Sequence, residues 1–197
     1  MNLSIEKKHK KLFFKARYLS AELEEMEEKF EECKILFLDE ISKEDMDAAR
    51  VKDPLKKCVA ELDKDLDSIF DEEIIENIKN NLPPSFKKLY KKIMIKVHPD
   101  KMLFLNDDDK KNQYKTICTK ANFAVNEGNW YMMVEAAMEL GISIPDVSNE
   151  HIVWLKSDCD NLDKKIKDIK GTLPWVWFHS NGGVKNLCIK QYMDNVF

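Results

Sequence analysis

An all-α fold is predicted by three features of the chain. All five glycines lie at Gly128 or later. Before that, Pro54, Pro83, Pro84 and Pro99 are almost the whole of the turn chemistry, so the first two thirds read as helix after helix. Apolar residues recur at steps of three and four, and 35% charged against 44% hydrophobic residues favours long helices with wet faces over a sheet-rich globule. A chain of 197 residues fits one domain or a small domain with appendages. The pattern supports the second, divided at 1–70, 71–141 and 142–197.

The first element carries Leu12, Ala16, Leu19, Leu23, Met26, Phe30, Cys33 and Phe37 in unbroken alternation of four and three, the seam of a coiled coil. The same frame carried backwards places Ile5 and His9 in the seam, His9 as an end residue rather than a ligand. Acids crowd the other positions of "AELEEMEEKFEEC" and read as a solvated face. A turn around "DEISKED" leads to a second helix that opens at Asp53-Pro54, with Leu55, Cys58, Leu62, Leu66 and Ile69 as its stripe. That helix folds back as a hairpin, or the first helix dimerises through its seam.

In the centre, a short helix carrying Ile74, Ile75 and Ile78 ends before Pro83-Pro84. Ser85 is the expected cap of the next helix, where Phe86, Leu89, Tyr90, Ile93 and Val97 share one face and Lys87, Lys88, Lys91, Lys92 and Lys96 cover the rest. A loop containing "NDDDKK" precedes a helix through Tyr114, Ile117, Ala121, Ala124 and Val125 that stops near Gly128-Asn129. Trp130, Met133, Ala137 and Leu140 form the last central helix, closed by Gly141 as a left-handed cap.

Pro145 marks the next boundary, and Ser148 or Asn149 caps a helix with a second seam, Ile152, Leu155, Cys159, Leu162, Ile166 and Ile169. The first helix is its nearest partner, so the two ends are expected to pair as a coiled-coil arm. "TLPWVWFHSNGG" follows, then a short helix around Leu187, Ile189 and Tyr192. Trp154, Trp175, Trp177 and Phe178 read as packing that locks this C-terminal segment, with a binding patch as the alternative. His151 and His179 read as packing or surface residues.

Composition narrows function. The five cysteines stand singly, with no CxxC pair and no zinc set, which suits a reducing compartment. No apolar run approaches the ~20 residues of a membrane span, and "MNLSIEKKHKK" lacks the apolar core of a secretory signal. A cytoplasmic or nuclear protein is expected. A net charge of −4 argues against a general nucleic-acid binder, although local basic patches remain.

The stretch "KKLYKKIMIKVHPDKM" stands out, with five lysines and no acid before His98. Read from residue types alone, His98 and Asp100 could be half of a metal site or an acid/base pair. Residues two apart in a loop converge poorly, and no third ligand is near in sequence. A one-signed lysine face instead steers an acidic partner and fixes its register.

With these residues in view, "LYKKIMIKVHPDKM" resembles the second helix and signature loop of the J-domain, the DnaJ-type co-chaperone module, whose His-Pro-Asp tripeptide is matched by His98, Pro99 and Asp100. The resemblance covers roughly residues 71 to 127. It implies that the module binds a DnaK-type chaperone ATPase and stimulates its ATP hydrolysis, performing no catalysis and needing no cofactor or metal itself. His98, Pro99 and Asp100 would contact the ATPase. Tyr90, Lys87, Lys91 and Lys92 match positions that dock or orient the loop, and Lys101 matches the basic residue after it. Pro99 restricts its own φ and biases His98 away from helix, and Asp100 offers a carboxylate to a partner arginine.

The chain departs from the family in lacking the aromatic-rich first-helix pattern, a glycine/phenylalanine linker and the cysteine repeats of a zinc region. Its continuation "NEGNWYMMVEAAMELGI" is similar to divergent J-domain proteins, some of them viral, for which the compartment would be that of the host cell. The helical arm would bring the module to an unknown client or assembly. The competing expectation is an interaction or scaffold protein with a J-like fold and no ATPase coupling.

Overall fold

A computed structural model describes residues 3–44, 82–102, 106–144 and 147–196. All regular secondary structure among these residues is helical, as the sequence predicts. The helices are α1 (Leu3–Glu44), α2 (Pro84–Val97), α3 (Pro99–Met102), α4 (Asp108–Asn126), α5 (Trp130–Glu139), α6 (Asn149–Lys170), α7 (Leu173–His179) and α8 (Gly183–Val196). The expected helix opening at Asp53-Pro54, the short helix with Ile74, Ile75 and Ile78, and the boundary at Pro145 lie outside the described residues.

The described residues group into two compact units. One takes residues 3–16 and 82–159, the other 17–44 and 160–196, so α1 and α6 each supply both.

In the first unit α2, α4 and α5 pack on one another. Phe86, Leu89, Tyr90, Ile93 and Val97 of α2 are buried, the five positions that its periodicity predicts. They meet Ile117, Ala121, Ala124 and Val125 of α4 and Trp130, Met133, Val134 and Ala137 of α5, all at most 1% exposed. Burying one such aliphatic side chain contributes roughly 1.5–3 kcal/mol. Two ion pairs, Lys120 Nζ with Glu135 at 3.1 Å and with Glu139 at 2.6 Å, brace α4 against α5.

The helix ends explain the turns between them. Asp107 caps α4 by accepting from Lys110 N–H at 3.1 Å, which draws most of "NDDDKK" into the helix rather than the expected loop. Asn129 caps α5 by accepting from Met132 N–H at 2.9 Å. Gly141 closes α5 in the left-handed region, φ 63°, with Ile142 N–H on Ala137 O at 2.8 Å and Gly141 N–H on Met138 O at 3.0 Å.

The α1 residues of this unit pack beside α6. Phe13 is buried and its ring lies 5.5 Å from that of Tyr131, while Leu12 of the expected seam is only half-buried. Cys159 Sγ reaches Leu12 O at 3.6 Å and His151 lies against His9, so contacts advance in the same direction along both helices. Here the pairing of α1 with α6 is parallel.

The second unit is built on α1 from Arg17 onward, the end of α6, and α7 with α8. Leu19, Leu23, Met26, Cys33 and Phe37 of the predicted seam are buried and Phe30 is half-buried. The helix continues past Phe37 through "DEISKE", where a turn is expected from composition, because Ile41 extends the buried stripe. Lys43 also pairs with Asp39 at 2.7 Å there. Phe37, Ile41, Trp177, Cys188 and Ile189 form one cluster, with Phe37 edge-on to Trp177 at 5.6 Å and to Tyr192 at 5.5 Å. Trp177 and Phe178 are thus packing residues, as expected. The helix expected around Leu187, Ile189 and Tyr192 is α8, in which Cys188 and Ile189 are buried and Leu187 is 62% exposed.

Candidate functional site

The candidate site begins with how α2 starts and stops. Pro84 takes the first helical turn and Pro83 the cap position with φ −57° and ψ 148°, so Ser85 is inside the helix and forms no cap, contrary to expectation. Its buried Oγ has no partner among the described residues. Pro84 at the first helical position removes one orphan N–H and brings a φ suited to the helix.

At the other end His98 has φ −58° and ψ 137°, the extended conformation forced on a residue before proline. Pro99 then opens the single turn of α3. The tripeptide therefore occupies a sharp break between two helical segments.

The break puts its polar groups outside. His98 and Asp100 side chains are 51% and 82% exposed, with His98 Nδ1 3.4 Å from Asp100 Oδ2. The same Nδ1 accepts from Asp100 N–H at 3.4 Å. The two side chains thus do converge, against the expectation for residues two apart, because α3 turns Asp100 back over the ring. An unprotonated Nδ1 holds the amide, and a protonated one pairs with the carboxylate. No group of three or more metal-ligating side chains is formed among the described residues.

Backbone and lysine contacts brace the break. Lys101 N–H donates to His98 O at 2.9 Å, and Lys101 Nζ donates to Ile95 O in the last turn of α2. Lys96 Nζ donates to Leu140 O at 2.9 Å, joining the end of α2 to the end of α5. Both ammonium groups meet carbonyls at helix C-termini, where the helix dipole favours a cation.

Of the other lysines, Lys88 and Lys91 are exposed and Lys87 and Lys92 half-buried. Lys88, Lys91 and Lys92 have no carboxylate partner among the described residues. Ile95, 55% exposed, shares the face of Lys88 and Lys91 and sets an apolar side chain among the lysines.

Tyr90 is placed differently from the lysines. It is 8% exposed and its hydroxyl donates to Asn122 Oδ1 of α4 at 2.8 Å, with Asn122 itself 5% exposed. Burial, with the Cys118 thiol nearby adding to it, pushes the Tyr90 phenol up to about 12. Tyr90 therefore orients α2 on α4 rather than presenting its ring to solvent. Asn122 is a supporting residue absent from the sequence reading. Its position among Ile117, Ala121 and Val125 on the buried face was the available signal.

No protein-family model matches the chain, and no match was found among the curated proteins or the solved structures. No helix of the described residues is long and apolar enough to cross a membrane.

Proposed function

We propose that the chain is a J-domain co-chaperone, which binds a DnaK-type chaperone ATPase and stimulates its ATP hydrolysis while its flanking helices direct it to a client or assembly. One observation carries this reading. His98 and Asp100 are exposed on a braced break between helices, at the end of a helix whose outer face bears lysines and whose inner face is tied down by Tyr90 and Asn122. Such a surface suits rigid contact with an acidic partner. The lysines of α2 accelerate and orient the encounter, and Asp100 meets a guanidinium. The chain performs no chemistry of its own in this reading, and it works in the cytosol or nucleus.

The test is single-turnover ATP hydrolysis by a DnaK-type chaperone, with and without the purified protein. Wild type is expected to accelerate hydrolysis and His98→Gln to lose the effect. Failure with chaperones from several sources, or equal acceleration by His98→Gln, would leave the scaffold reading in its place.

A further inference from the structure

The start of α6 has an unusual cap. Ser148 precedes the helix, and His151 N–H donates to Ser148 Oγ at 3.5 Å while Ser148 N–H donates to His151 Nδ1 at 3.2 Å. This is a capping box in which an imidazole stands where glutamate or glutamine usually reaches back. Because Nδ1 accepts, the neutral ring carries its proton on Nε2.

The ring is deeply enclosed. His151 is 2% exposed, stacks on Trp130 at 4.4 Å with a 13° tilt, and meets Trp154 at 5.3 Å. From α1, His9, 6% exposed, approaches it edge-on at 6.4 Å. The Nε2 atoms of both rings lack hydrogen-bond partners among the described residues. A metal between them is disfavoured, since His151 Nε2 keeps its proton while Nδ1 accepts.

We propose that His9 and His151 form an acid-operated latch, in which the neutral pair lets residues 3–16 of α1 pack beside the start of α6 and protonation releases them. A proton added at His151 Nδ1 would face the Ser148 N–H donor and break the cap. It would also set a cation at the positive end of the α6 dipole, beside a second histidine. The stack on Trp130 attracts a cation, but it offers one ring face against two buried charges and a lost cap.

The charged groups on the surrounding elements do not neutralise the pair. On α1, Glu6 lies one turn before His9 and is half-buried, but the shift of His9 has only burial and His151 as its causes, and Lys8 and Lys10 are exposed. On α5, Glu135 is held by Tyr131 Oη at 2.7 Å and Lys120 Nζ at 3.1 Å. On α6, Glu150 is exposed and the Asp158 carboxylate accepts from Tyr131 N–H at 2.8 Å. The lysines of α2 have the same sign as the protonated pair, and its nearest ring, Phe86, meets Trp130 at 5.4 Å.

Burial lowers both histidines below their ordinary 6.5, and His151 lowers His9 further. The stability they contribute is therefore present above 6.5 and lost as pH falls below it. Asp158 opposes them. Burial raises it from 3.8 to about 6 against the pull of the Tyr131 and Trp130 N–H groups, so its contribution falls as pH rises through that range.

Hydrogen exchange of residues 3–16, corrected for intrinsic rates, measured at about pH 7.5 and about pH 5.5, separates the two effects. Wild-type protection is expected to fall roughly tenfold or more at the lower pH. In His9→Gln/His151→Gln, where glutamine retains the usual capping box, the fall should disappear. An equal fall in the double variant, or no fall in wild type, overturns the latch. Should that variant not fold, NMR titration of the wild-type imidazoles decides instead. Both rings must titrate below the ordinary histidine value, and a normal or raised value for either overturns the proposal.

Discussion

Tyr90 and His98 are eight residues apart on one helix and its cap, yet opposite physical demands act on them. The proposed function needs His98 exposed, and the following proline takes it out of the helix into an extended conformation in which its side chain is 51% exposed. Tyr90 is useful only if buried, because its hydroxyl on Asn122 sets the rotation of α2, and with it the direction in which the lysines point. Tyr90→Phe leaves the Asn122 carbonyl buried without this donor, so it should destabilise by about 1–3 kcal/mol, above the net worth of an ordinary hydrogen bond. Urea unfolding checks this. A second signature comes from the raised phenol, since a group that holds its proton more tightly when folded loses its contribution as pH rises. Wild-type stability should decline between 10 and about 12, and the phenylalanine variant should lack that part of the slope. A variant as stable as wild type throughout would mean that shape alone orients α2.

At the scale of elements, Gly141 shows a helix end specified by one residue. Its φ of 63° belongs to the region that side chains resist, and an added Cβ would meet nothing within 4 Å. Gly141→Ala should therefore cost only backbone strain, about 1–2 kcal/mol, seen as a lower urea midpoint at unchanged slope. This end was legible because glycine after an apolar stripe has few other uses. The α1 seam was legible for the same reason, since eight apolar positions in strict alternation admit one face. Its end was not, because "DEISKE" is composed like a turn and only the burial of Ile41 keeps it helical. Ser85 misled similarly, as the helix opens one residue earlier at Pro84, whose fixed φ suits the first turn, and so takes Ser85 inside it. In the candidate site, the break at His98-Pro99 and the lysine face could be read locally. The contacts Tyr90–Asn122, Lys96–Leu140 and Lys101–Ile95 could not, because they join residues by tertiary approach or use backbone carbonyls that any sequence supplies.

For the whole molecule the question is what covers α1. Leu19, Leu23, Met26, Cys33 and Phe37 are each at most 8% exposed, a stripe far too apolar to face water alone. α6 belongs to both units and touches α1 in each, through Cys159 and Leu12 in one and Lys170 and Glu22 in the other. α7 and α8 add Trp177, Cys188 and Ile189 around Phe37. Cover supplied from within the chain predicts a monomer in sedimentation velocity. Removing residues 149–197 would then uncover a seam whose strict repeat suits pairing with its own copy, and the shortened chain should associate with rising concentration. The charge on the outer positions would not prevent it, since coiled coils place charge there. If the full chain already sediments as a dimer and the deletion leaves that dimer unchanged, α1 pairs with a second α1, and the contacts with α6 are secondary to that assembly.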